Sequence, residues 1–119
     1  MQHCRKWIAR RAAYAAAAIM LACLAPSARA AGPADAAELQ AGRTLFISGA
    51  VPACAVCHTL AEAGASGQVG PSLDELKPDA GRVEMAVRNC IGVMPAFESL
   101  SDEEVAAVSR YVAHAVAAE

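Results

Sequence analysis

The sequence predicts a small all-α domain behind an export segment. Three stretches, about 35–48, 79–89 and 101–116, place apolar residues at helical spacing, and no stretch alternates apolar and polar residues as a strand would. The last of them opens on Ser101-Asp102-Glu103-Glu104, a capping box with acidic residues in the first helical turn.

Residues 1–30 have the form of a signal peptide. Arg5, Lys6, Arg10 and Arg11 precede an apolar run, Ala12–Ala25, that is too short to span a bilayer, and Ala28-Arg29-Ala30 offers a small-x-small cleavage site. Cleavage after Ala30 delivers the protein to the periplasm, through general secretion in preference to the twin-arginine route that Arg10-Arg11 would suggest. Met20-Leu21-Ala22-Cys23 loosely resembles a lipobox, but Met20 is a poor first residue and the apolar run continues past Cys23. A lipid anchor at Cys23 is therefore not expected. Five of the ten basic residues leave with this segment and all twelve acidic ones stay, which takes the formal charge to −7. That balance argues against nucleic acid or an anionic membrane as partner and favours a redox protein with a basic docking patch.

Residues 31–36 read as a short flexible leader, and 37–119 as the folded domain. Its first helix is expected from about Asp35, as N-cap, to Ser48, with Leu39, Gly42, Leu45 and Phe46 on one side and Gly49 and Pro52 as stops. Residues 62–71 are expected to be a loop and 72–76 a helical turn. Pro78-Asp79 opens a helix to about Asn89, in which Met85 fills core space beside Val83 and Val87. Gly92 and Pro95 mark 91–97 as a loop.

The chemistry lies in Cys54-Ala55-Val56-Cys57-His58. Two thiols at this spacing can add to the two vinyl groups on one edge of a porphyrin, and the adjacent His can reach the iron. A zinc site would need four ligands and lacks a second Cys pair, and a dithiol oxidoreductase would need a strand and helix alternation that is absent. Covalent haem c is the expected cofactor, with His58 one axial ligand. Met85, Met94 and His114 could supply the second. Met94 is preferred because the loop Gly92-Val93-Met94-Pro95 can aim its sulfur freely, whereas Met85 falls within a helix and His114 near a helix end. A His/Met pair stabilises ferrous haem and raises its potential, which suits single-electron transfer.

Gly42 with Phe46, Cys54–His58, Gly70-Pro71-Ser72-Leu73, and Met94-Pro95 followed by a helix bearing Tyr111 together resemble class I cytochrome c across almost all of residues 37–116. The resemblance implies that the first and last helices cross at Gly42, beside Phe46 and Tyr111. It also implies that the Pro71 carbonyl accepts the other ring N–H of His58 and that Leu73 and Leu76 line the haem. Lys77, Arg82 or Arg88 could pair with a propionate. The later stretch to Met-Pro-Ala-Phe is similar to small cytochromes that are haem subunits or acceptors of periplasmic dehydrogenases, sulfite dehydrogenase among them. Electron transfer without catalysis is the implied function. Relatives tend to carry glycine where this chain has Cys90, which is expected to be buried and inert.

Overall fold

A computed structural model of the chain describes residues 33–118. The expected signal peptide, its cleavage site and Cys23 lie outside the described residues. The elements in order are α1 (Pro33–Thr44), a π-helical turn (Leu45–Gly49), α2 (Cys54–Cys57), β1 (Thr59–Leu60), β2 (Ala65–Ser66), α3 (Leu73–Leu76), α4 (Ala80–Asn89) and α5 (Asp102–Ala117).

Side chains on the chain's own backbone start the later helices where the sequence puts them. Ser101 Oγ accepts from Glu104 N at 3.2 Å while Glu104 Oε2 accepts from Ser101 N at 2.8 Å, completing the capping box of α5. Asp79 Oδ1 accepts from Arg82 N at 2.8 Å and caps α4. Ser72 does the same for Glu75 in the single turn of α3.

α1 begins at Pro33, two residues before the expected N-cap, so 33–36 belong to the helix and not to a leader. Proline supplies a helical φ at a position whose N–H has no intrahelical acceptor, and Asp35 joins the first turn instead of capping it. The helix ends in the π-helical turn, closed by Ala50 N donating to Leu45 O at 3.0 Å.

α1 and α5 cross where Gly42 meets Ala107 and Tyr111. A Cβ built on Gly42 would lie 2.6 Å from Tyr111 Cβ and closer still to the Ala107 carbonyl oxygen, so glycine is a steric requirement of the crossing. Phe46 (1 % exposed) and Tyr111 (3 %) pack edge to face beside it, ring centroids 6.0 Å apart. The Tyr111 hydroxyl donates to Glu62, whose carboxylate also pairs with Arg43 at 3.4 Å. Burial, followed by that carboxylate, pushes the Tyr111 phenol well above its usual range. Three segments far apart in sequence are thereby joined at one point. Leu60, Val108, Val112 and Val116 extend the core, each burial worth roughly 1.5–3 kcal/mol.

Within the expected loop 62–71, Ala65–Ser66 pairs antiparallel with Thr59–Leu60. Two residues per strand are too few to show a period, and the fold class stays all-α. The Asp74 carboxylate accepts from Ala61 N at 3.0 and 3.2 Å and ties this hairpin to α3.

Two expectations fail on α4. Met85 is 60 % exposed and fills no core, because Val83 and Val87 already supply the inward face. Cys90 is exposed, not buried, and caps the helix with φ +42° and ψ 126°. That conformation is costly for any residue with a Cβ and is one that glycine adopts freely. Cys90→Gly is expected to stabilise the protein by about 1 kcal/mol, relief of strain outweighing the greater entropy of the unfolded chain. Urea denaturation of the two proteins side by side measures it.

Candidate functional site

α2 is one turn long, and Cys54 and Cys57 stand three residues apart on it, on neighbouring positions of one face. His58 follows as its C-cap, with its N–H donating to Cys54 O at 3.0 Å. Gly70 N donates to Cys57 O at 2.8 Å, which brings Gly70-Pro71 against the imidazole. His58 Nδ1 lies 2.9 Å from the Pro71 carbonyl oxygen. A carbonyl can only accept, so Nδ1 carries the proton and Nε2 keeps its lone pair for a metal.

All of these residues face one cavity of about 500 Å³, within the range usual for cofactor sites. Cys54, Cys57 and His58 line it from α2, Phe46 and Leu73 from its floor, and Met94 from the loop after α4. That loop is held by Met94 N donating to Ile91 O at 3.0 Å and by Phe97 N donating to Val87 O at 3.0 Å, with Gly92 at φ +61° supplying the turn. Met94 is half-buried against Val87, Phe97 and Val105. Pro71 and Leu76 also reach the cavity, while Met85 and His114 do not line it. Among the described residues, Arg82 is the charged side chain on its wall and no carboxylate lines it.

The alternatives to haem fit poorly. Among the described residues no group of three or more His, Cys, Asp or Glu is placed to hold a bare metal ion. Burial pushes the Cys54 thiol up to about 11, the reverse of the lowered pKa that activates a dithiol nucleophile. A largely apolar cavity with two thiols, an imidazole nitrogen and a thioether on its walls does suit a porphyrin.

Residues 37–112 match the family described as Cytochrome C oxidase, cbb3-type, subunit III. Among solved structures, the c-type cytochrome SorU from Sinorhizobium meliloti is similar at 56 % identity and a TM-score of 0.67, over 68 % of this chain and 93 % of that one. This chain is a class I c-type cytochrome. The cytochrome carries covalently bound haem c and serves electron transfer. A search of curated proteins gave no significant match. No helix among its described residues is long and apolar enough to cross a membrane.

One functional position of the cytochrome was legible only as part of a motif. Gly70 looks like a turn residue in sequence, yet a Cβ there would come within 2.8 Å of His58 Nδ1 and 3.0 Å of Nε2. Glycine at this position leaves room for the imidazole.

Proposed function

We propose that this cytochrome is a single-haem electron carrier of the periplasm, its haem bound through thioethers to Cys54 and Cys57 and ligated by His58 and Met94. The observation that carries this reading is the convergence of those four side chains on one apolar cavity. Bound there, the haem supplies reversible one-electron chemistry at its iron. The protein's own contribution is to hold and tune. The Pro71 carbonyl would orient His58 and raise its basicity, Met94 would offer the iron a soft sulfur donor, and the apolar walls would exclude water. These are the needs of a carrier, and none of them is a substrate site.

Export fits the charged and apolar pattern of residues 1–30, and the formal charge of −7 that follows cleavage favours a redox partner with a basic face. A second reading is a haem subunit or dedicated acceptor of a periplasmic dehydrogenase, a sulfite dehydrogenase for instance. It is favoured by Val51 and Val56, which flank the Cys54 turn outside the cavity and remain 83 and 64 % exposed, since a lasting interface is more apolar than a transient one. Purification of the mature protein from its native periplasm separates the two: a clean monomer supports the carrier, and co-purification with a molybdenum enzyme supports the subunit.

Haem that stays with the polypeptide through denaturation is expected from the wild type and is lost when Cys54 and Cys57 are both replaced by alanine. Ferrous wild-type protein is expected to resist carbon monoxide at neutral pH, whereas Met94→Ala binds it readily. Rapid binding by the wild type, or an unchanged spectrum in Met94→Ala, would remove Met94 from the iron.

A further inference from the structure

A haem in this cavity brings two propionates, and an anion withdrawn from water requires a cation or hydrogen-bond donors nearby. The sequence offers Lys77, Arg82 and Arg88 with nothing to choose among them. The structure separates them. Arg88 is committed, with Nε 3.2 Å from Glu84 Oε1 and a terminal nitrogen 2.8 Å from Asp102 Oδ1. Lys77 caps α3 and faces a different groove, formed with Ala113, Val116 and Ala117 at the end of α5.

Arg82 stands apart from the other arginines among the described residues. Arg43 pairs with Glu62, Arg88 with Glu84 and Asp102, and Arg110 with Glu38. The Arg82 guanidinium has no protein acceptor among the described residues, although the surface is rich in carboxylates. Its backbone is fixed all the same, because its N–H is the one that Asp79 caps at 2.8 Å. The residue is anchored in the first turn of α4, its side chain lines the cavity, and among the described residues the cavity wall carries no competing acid.

We infer that Arg82 is a positioning residue for the cofactor: its guanidinium pairs with a haem propionate and, through that charge, raises the reduction potential. The inference rests on the reading that haem occupies this cavity. A planar fork of N–H donors matches a carboxylate bidentately, which a lysine cannot do. Reduction adds one negative charge to the iron and ring, so a fixed positive charge beside them stabilises the ferrous state more than the ferric. Arg82 is exposed, and solvent screens the interaction to a modest size.

The test is the midpoint potential of the purified holoprotein. At the solution potential that leaves the wild type half reduced, Arg82→Gln is expected to lower the ratio of reduced to oxidised protein about threefold, or ~30 mV at 59 mV per decade for one electron. Arg82→Lys keeps the charge and is expected to recover most of the shift. Lys77→Gln removes the same charge from the other groove and is expected to change the ratio much less. Should Arg82→Gln fail to take up haem, Arg82→Met keeps the apolar stem and is expected to show the same sign. An Arg82→Gln shift no larger than that of Lys77→Gln, with an unaltered absorption spectrum, would overturn the inference. Failure of the haem reading itself would appear differently, as an altered spectrum or lost haem in the wild type.

Discussion

Gly42→Val is expected to cost the holoprotein about 3 kcal/mol or more, at the upper end of overpacking substitutions. The obstacle to a side chain at 42 is the Ala107 carbonyl oxygen together with the Tyr111 Cβ, and neither can turn away as the end of a flexible side chain could. α1 and α5 must therefore move apart. Phe46 and Tyr111 lie beside the contact, and Phe46 also lines the haem cavity with Val108 and Val112 of α5. Separation of the helices thus opens the cavity wall as well as the core, and a domain whose total stability is of order 5–15 kcal/mol has little margin for it. Guanidinium denaturation of the holoprotein, followed by far-ultraviolet circular dichroism, measures the loss. Gly42→Ala is expected to show the same sign at smaller size. A valine variant as stable as the wild type would mean that the crossing has room the structure does not show.

The starts of α4 and α5 were legible because the signals are local, whereas α1 begins two residues before the cap expected at Asp35. Ser101 with Glu104, and Asp79 before Ala80, state their caps within four residues, and the structure places both caps. The clustering of Cys54, Cys57 and His58 was legible for the same reason, since all three fall within five residues around one turn. What escaped depends on contacts between distant segments or on backbone geometry. The β1–β2 pairing is too short to have a period, and the π-helical turn differs from an α-helix in hydrogen-bond register and not in composition. Met85 has the spacing of a core residue, but the face it would share is already filled. Cys90 reads as a buried thiol by residue type, and its exposure follows from the left-handed φ that ends α4. The choice of Arg82 over Arg88 needed the positions of Glu84 and Asp102, one of which lies fourteen residues further along the chain. Spacing cannot carry that information.

Gly70→Ala tests the proposed proximal ligand from the other side. The added methyl would lie 2.8 Å from His58 Nδ1, and the backbone that bears it is held to α2 by the 2.8 Å bond from Gly70 N to Cys57 O. Glycine is needed here for space, because the φ of Gly70 lies outside the left-handed region. With the backbone fixed, the imidazole has to rotate, and rotation breaks the 2.9 Å bond from Nδ1–H to the Pro71 carbonyl. Removing an orienting partner of a metal-bound His typically costs 10- to 100-fold in metal affinity or activity. The thiols of Cys54 and Cys57 stand outside this contact, so covalent haem is expected to persist through denaturation while the six-coordinate spectrum weakens at neutral pH. Overpacking adds roughly 1–3 kcal/mol of lost stability. The two readouts separate causes that a stability measurement alone would merge. A simple packing defect destabilises the fold and leaves the axial spectrum of the folded fraction intact, whereas a displaced imidazole changes that spectrum in fully folded protein. A Gly70→Ala variant with the wild-type spectrum and midpoint potential would show that His58 tolerates the methyl without rotating, and that glycine is not required at this position.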